Sequence, residues 1–266
     1  MNLLNIITIT AYVLAGTLLS VRLVRHTMDD PGRKQHILAV AMLALAGHGF
    51  VLYHQIDLAS GLNLGFFNAV SFISWVIALL LVLAALFRPV ENLGIAVFPL
   101  AAIALLMDHF FHSAHILPHS ETGVELHVVI SVTAYGLLSL AAVQAILMAI
   151  QDRQLHHQRP GGFIRALPPL QTMESLLFQM ITLGFFLQSL ALVSGFMFTE
   201  DLFAQHLAHK TVLSIVAWLV YATLLWGRWR HGWRGKTAIR WTMWGFVSLL
   251  LAYFGSKLVL ELILRK

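Results

Sequence analysis

The chain has 266 residues, of which 59% are hydrophobic and only 11% charged, with a net charge of +5. A soluble domain carries roughly 25% charged residues, so this chain has too little polar surface for a soluble globule. It contains no cysteine, which excludes a disulfide framework, thiol redox chemistry, Fe–S ligation and a covalent Cys-x-x-Cys-His haem site.

The apolar stretches are continuous, whereas the strands of a membrane β-barrel alternate apolar and polar residues. In lipid every backbone polar group must be satisfied within its own segment, so these stretches read as helices. A crossing takes about 20 apolar residues. The first predicted span, 3–22, ends at Arg22. The second, 37–55, lies between Lys34 and Asp57. Ala59, Ser60, Gly61 and Asn63 are expected in a turn before the third span, 66–87. The fourth, 92–107, is short and kinked by Pro99. Spans at 124–150, 174–198 and 211–228 follow, and an eighth, 241–260, begins at Trp241. The expected fold is therefore an all-α polytopic membrane bundle of about eight crossings, forming a single membrane domain over 1–266. The first span lacks a basic segment before its apolar run, so it reads as a retained helix and not as a signal peptide.

Thirteen of the 17 Lys and Arg residues, from Arg22 and Arg25 to Lys236 and Arg240, fall at one set of span ends. Lys210, Lys257, Arg265 and Lys266 fall at the other. Cytoplasmic loops hold the excess of Lys and Arg, so the first set is expected inside and both termini outside. The positive charge thus concerns membrane topology, and no nucleic-acid partner is expected. Trp226, Trp229, Trp233, Trp241 and Trp244 around the last basic loop read as an interfacial aromatic belt.

The sequence holds 14 histidines, and on this topology nine lie towards the outside: His48, His54, His109, His112, His115, His119, His127, His206 and His209. Neutral imidazole is the commonest metal ligand, and an ionisable group inside a span is a functional candidate by default. His127, one turn into the fifth span, and His209, at the mouth of the seventh, can ligate one iron or hold a flat macrocycle between their helices. The plainer alternative is that each caps a helix or meets interfacial water. His109, His112, His115 and His119 form a denser run. If it is helical, His112, His115 and His119 share a face and could bind zinc or copper; otherwise it is a solvated loop. His48, deep in the second span after Ala46 and Gly47, is a further candidate. Glu174 suits the first turn of the sixth helix through the helix dipole. No phosphate loop, His-Glu-x-x-His motif or nucleophile elbow is present, so no catalytic residues are assigned.

Several segments taken together resemble the cytochrome c assembly, or haem-handling, superfamily of CcsA, CcmC and CcmF, most of all its short YpjD-type or HemX-type branch. They are Phe67-Asn68-Ala69-Val70-Ser71-Phe72-Ile73-Ser74-Trp75, His127 with Tyr135-Gly136, and Leu167-Pro168-Pro169-Leu170 leading to Glu174. Gly184-Phe185, Ser194-Gly195, His209-Lys210-Thr211 with Trp218, and Tyr253-Phe254-Gly255 complete the set. The resemblance implies a membrane bundle that binds or moves haem on its outer face through histidine axial ligands. By position it points to His127 and His209. The family's tryptophan-rich outer loop is missing, since residues 199–210 contain no Trp, and no histidine follows the last span.

The sequence is thus read as a haem-handling protein of the bacterial inner membrane. It is expected to bind b-type haem non-covalently through His127 and His209, with no lyase activity. His48, Trp75, Lys210 and Lys257 complete the candidate site, the two lysines as propionate contacts. Expected partners are the bilayer, haem and another membrane protein. The alternatives are a HemX-like membrane regulator or assembly partner, and a metal-ion transporter.

Overall fold

The computed structural model describes residues 3–25, 31–58, 61–63, 65–111, 116–117, 122–156, 167–198 and 205–255. Among them are eight helices: α1 (Leu3–Val24), α2 (Pro31–Ile56), α3 (Phe66–Phe87), α4 (Gly94–Phe110), α5 (Thr122–His156), α6 (Leu170–Phe198), α7 (Gln205–His231) and α8 (Gly235–Leu250). The first seven are long and apolar enough to cross a membrane. The protein is an all-α polytopic membrane protein. The eighth helix has 16 residues and runs into a π-helical turn, Leu251–Gly255.

Helix starts differ from the sequence expectation where turn chemistry prevailed over hydropathy. α2 starts at Pro31, because proline suits a first helical position whose N–H has no partner in any case. α6 starts at Leu170, directly after Pro168-Pro169, and the Pro169 carbonyl accepts from the amides of Thr172 (2.9 Å) and Met173 (3.1 Å). α8 starts at Gly235 and not at Trp241, because Gly232 (φ 67°) and Gly235 (φ 51°) turn the chain tightly after α7. Gly61 and Asn63, expected in a turn, are extended instead. Three short strands, β1 (Asp57–Leu58), β2 (Gly61–Asn63) and β3 (Ile116–Leu117), form an antiparallel sheet in that order. Asp57 pairs with Leu62, and Leu62 with Leu117, so backbone groups at this end of the helices find partners in one another.

The chain packs as two compact units, Met1–His119 with His157–Pro168, and Ser120–His156 with Pro169–Lys266. In the first, α1 packs on α2 and α4, and α3 packs on the same two helices. Pro99 is carried inside α4, and Gly16 of α1 lies against its ring: a Cβ at Gly16 would sit 3.2 Å from Pro99 Cδ. A buried charge cluster closes one end. Glu91, in a 3-10 turn (Glu91–Leu93) before α4, faces Arg22 Nη1 at 3.5 Å and Lys34 Nζ at 3.2 Å.

In the second unit α5 packs on α6 and α8, and α7 packs on the same pair. Small residues allow the close approach that dispersion needs where lipid supplies no hydrophobic drive. A Cβ at Gly184 of α6 would come 2.8 Å from Leu138 Cγ of α5, and one at Gly245 of α8 would come 2.6 Å from Tyr221 Cζ of α7.

In both units large apolar side chains face outward, among them Leu43, Leu83, Phe186 and Leu219, while Asn5, His48, Ser71, Gln144 and Thr242 are buried. Glu91→Ala removes the carboxylate that faces the buried guanidinium of Arg22. Loss of one partner of a buried pair costs about 3–5 kcal/mol. The variant is expected to melt well below the wild type in detergent, as measured by circular dichroism, whereas Asp152→Ala, whose Lys236 partner stands 3.9 Å away and is mostly exposed, is expected to melt close to it.

Candidate site around His127

His127 lies near the start of α5 and is half-buried. Its Nδ1 is 2.9 Å from the Ser194 hydroxyl of α6. That hydroxyl also reaches back 3.0 Å to the carbonyl of Ala191 on its own helix. Gly195 leaves room for the ring: a Cβ there would stand 3.1 Å from His127 Cε1. Among the described residues the other nitrogen, Nε2, has only the Ser131 hydroxyl at 3.5 Å, the outer limit of a hydrogen bond. One nitrogen is therefore held firmly by α6 and the other loosely by α5. That is the pattern of an imidazole oriented to ligate.

His209 is exposed near the start of α7, and Lys210 beside it is half-buried. Among the described residues the rings of His127 and His209 share no hydrogen bond or ring contact. Lys257 lies outside the described residues, as do His112, His115 and His119. His109 ends α4 with Nδ1 3.4 Å from Asn5 Nδ2. The extended Ile116–Leu117 segment rules out one continuous helix through 109–119. Among the described residues no three His, Asp or Glu side chains form a metal-binding group.

His48 and Trp75 belong to the first unit. His48 is fully buried, with Nδ1 3.2 Å from the Tyr12 hydroxyl and Nε2 3.0 Å from the Ser71 hydroxyl. Both of its nitrogens are thus engaged by neighbouring helices. Trp75 donates its indole N–H to the Leu45 carbonyl at 2.9 Å and lies against Gly49. Its ring forms a wall of a shallow apolar groove with Met42, Ala46 and Leu79.

The structure adds a polar hub that the sequence reading had explained by the helix dipole alone. Glu174 of α6 accepts from Arg228 Nη1 of α7 at 2.8 Å and from the Gly235 amide at 3.0 Å. Arg228 also donates to the Trp233 carbonyl at 3.1 Å and lies 4.6 Å from the centre of the Phe178 ring. The scarcity of acids among so many cations was the available signal. Glu91, Asp152 and Glu174 each face a Lys or Arg from elsewhere in the chain.

Several of the segments that carried the resemblance meet one another in the second unit, whereas residues 67–75 lie on α3 of the first. Tyr135 packs against Tyr253 and Phe254, with ring centres 6.0 and 5.9 Å apart. Phe185 stacks on Trp218 at 5.3 Å, and the Trp218 indole donates to Ser189 Oγ at 2.8 Å. His127 meets Ser194 and Gly195.

Seven helices able to span a bilayer define a polytopic membrane protein, with His127 seated near one helix end by a hydroxyl of the next. The chain belongs to the cytochrome c assembly protein family, whose model matches residues 36–264. It is 34% identical over 235 residues to the inner membrane protein YpjD of Escherichia coli (strain K12), covering 87% of this chain and 89% of that one. It is 24% identical to the cytochrome c biogenesis protein CcsA of Synechococcus sp. (strain CC9902), over 86% of this chain and 84% of the relative. Protein HemX of Brevibacillus brevis is 24% identical over 71% of this chain and 72% of its own length. No solved structure matches the chain.

Proposed function

We propose that this protein handles haem in the bacterial inner membrane, binding it non-covalently as b-type haem with His127 and His209 as axial ligands. The observation that carries the reading is the His127 seat, in which α6 holds one ring nitrogen and the other has only a weak neighbour. Membership of the cytochrome c assembly family and the similarity to an inner membrane protein support this choice of ligand class and compartment. When bound, haem supplies ligand exchange and one-electron chemistry at its iron. The chain's part is to orient imidazole, to exclude water with exposed apolar residues beside the seat such as Phe196 and Met197, and to offer cations to propionates. Lys210 and Lys257 are the cations proposed for that last task.

The test is the absorption spectrum of the purified protein. His127→Ala and His209→Ala are each expected to lower haem content several-fold and to lose bis-histidine features. His156→Ala and His157→Ala are expected to leave both unchanged. Haem content and spectrum unaltered by the first pair in folded protein would end the assignment.

The proposed orientation puts the basic ends in the cytoplasm, both termini outside and the His127 seat on the outer face. Reporter fusions after residues 30, 160 and 234 are expected to report cytoplasm, and fusions after 60, 116 and 204 the outside. External activity at 160 or 234 would reverse the orientation.

The reading does not include covalent attachment of haem to an apocytochrome. Residues 199–210 offer no tryptophan on which to lay a macrocycle, and Glu200 and Asp201 would repel its propionates. A HemX-like role, as regulator or assembly partner of another membrane protein, is the second reading, favoured by the same missing loop and by the HemX similarity. Deletion of the gene is expected to leave c-type cytochromes near normal on a haem-stained gel. Loss of every covalent haem band, restored by the intact gene, would show instead that attachment depends on this protein.

A further inference from the structure

We infer that Ser194, with Gly195 beside it, is the positioning group that holds His127 as the Nδ1–H tautomer and leaves Nε2 as the nitrogen offered to haem iron. The identity of the ligand rests on the haem reading above; the tautomer rests on the hydrogen bonds alone.

The Ser194 hydroxyl has one proton and two lone pairs. It lies 3.0 Å from the Ala191 carbonyl, which can only accept, so its proton goes there. Its remaining capacity towards the ring is as an acceptor, and at 2.9 Å it takes a proton from His127 Nδ1. With the hydroxyl proton on the Ala191 carbonyl, a bare Nδ1 lone pair would face a lone pair of Ser194 Oγ with no proton between them. Ser194 is buried, so water does not relieve that repulsion. The proton therefore belongs on Nδ1, and the lone pair on Nε2.

Among the described residues Nε2 has no competing strong donor. Ser131 is one helical turn further along α5 and its hydroxyl is 3.5 Å away, a contact that a metal–nitrogen bond would easily replace. Gly195 sets the second coordinate, the tilt of the ring. With no side chain there, Cε1 lies close against α6, and an added Cβ at 3.1 Å would push the imidazole outward. The close approach of α5 and α6 at Gly184 keeps the two halves of the seat in register.

An imidazole that donates its far N–H is a better ligand than one that does not, because the donated bond fixes ring orientation and raises the basicity of the ligating nitrogen. Loss of such a partner typically costs about 10- to 100-fold in metal affinity. A serine hydroxyl in this place makes Ser194 a tuning residue for iron bound through His127.

The full-length protein in detergent, labelled with ring-15N histidine, tests the tautomer. His127→Gln assigns the signal. The expected spectrum of the unliganded wild type has His127 protonated at Nδ1; protonation at Nε2 overturns the inference. Haem titration and redox potentiometry then test the role. Ser194→Ala is expected to bind haem about 10- to 100-fold more weakly and at a raised midpoint potential, since a less basic imidazole stabilises ferric iron less. Ser194→Thr, which keeps the hydroxyl, is expected to stay near the wild type in both. A Ser194→Ala protein that melts, binds and poises like the wild type overturns the positioning role. If the wild type binds no haem, the haem reading falls, and the tautomer of the unliganded ring still decides whether Ser194 holds it.

Discussion

Hydrocarbon provides no hydrogen-bond partner, so each polar group carried into the bilayer must find one inside the protein. The helices meet that demand for their backbones, and the hydroxyl side chains largely follow suit. Thr133, Ser139, Thr182, Ser189, Thr223, Thr242 and Ser248 each donate to the carbonyl four residues earlier. Larger polar groups reach from one helix to another. Gln144 donates to the Met173 carbonyl, Gln188 to that of Ser214, and the Trp75 indole to that of Leu45. Against this background His48 and His127 differ. The first has strong partners on both nitrogens, while the second has one on only a single side.

The same economy governs charge. Acids are few, and buried Glu91 and half-buried Glu174 each sit against cations from elsewhere in the chain. Glu91 faces Arg22 and Lys34 beside the turn into α4, and Glu174 joins α6, α7 and the turn into α8. Both clusters act where helices end and backbone amides would otherwise lack partners. At the α7–α8 turn the Gly235 amide and the Trp233 carbonyl are tied to the Glu174–Arg228 pair. That turn fixes how α7 and α8 meet. Its aromatic residues divide by position: Trp233 stacks on Trp241, while Trp226, Trp229 and Trp244 face outward as an interfacial belt would.

Ser194 links the family resemblance to chemistry. Several dispersed segments, each weak alone, come together within the second unit. The Ser194-Gly195 pair sits under the His127 ring, Tyr253-Phe254 under Tyr135, and Phe185 under Trp218. A histidine seated by a neutral hydroxyl is held less tightly than one seated by a carboxylate.

Composition and hydropathy alone determined that the protein is helical, that it crosses a membrane and roughly where seven of its crossings lie. Those properties follow from local residue content, because a span needs only length and apolarity. The family was legible too, since ordered fragments survive in sequence even when each is short. Helix starts at Pro31, Leu170 and Gly235 were less so, because proline and glycine geometry acts at single residues that a hydropathy window averages away. His127 was a candidate from its place one turn into a span and from the resemblance, but neither could tell how its ring, or that of His48, is held. Only tertiary structure did that, by bringing Tyr12 and Ser71 to both nitrogens of one ring and Ser194 to a single nitrogen of the other. Glu174 likewise acquired its meaning from Arg228, which lies far along the chain and next to it in space. The partners that complete a polar group in lipid come from other helices, and which helices meet is a property of packing, not of any one segment.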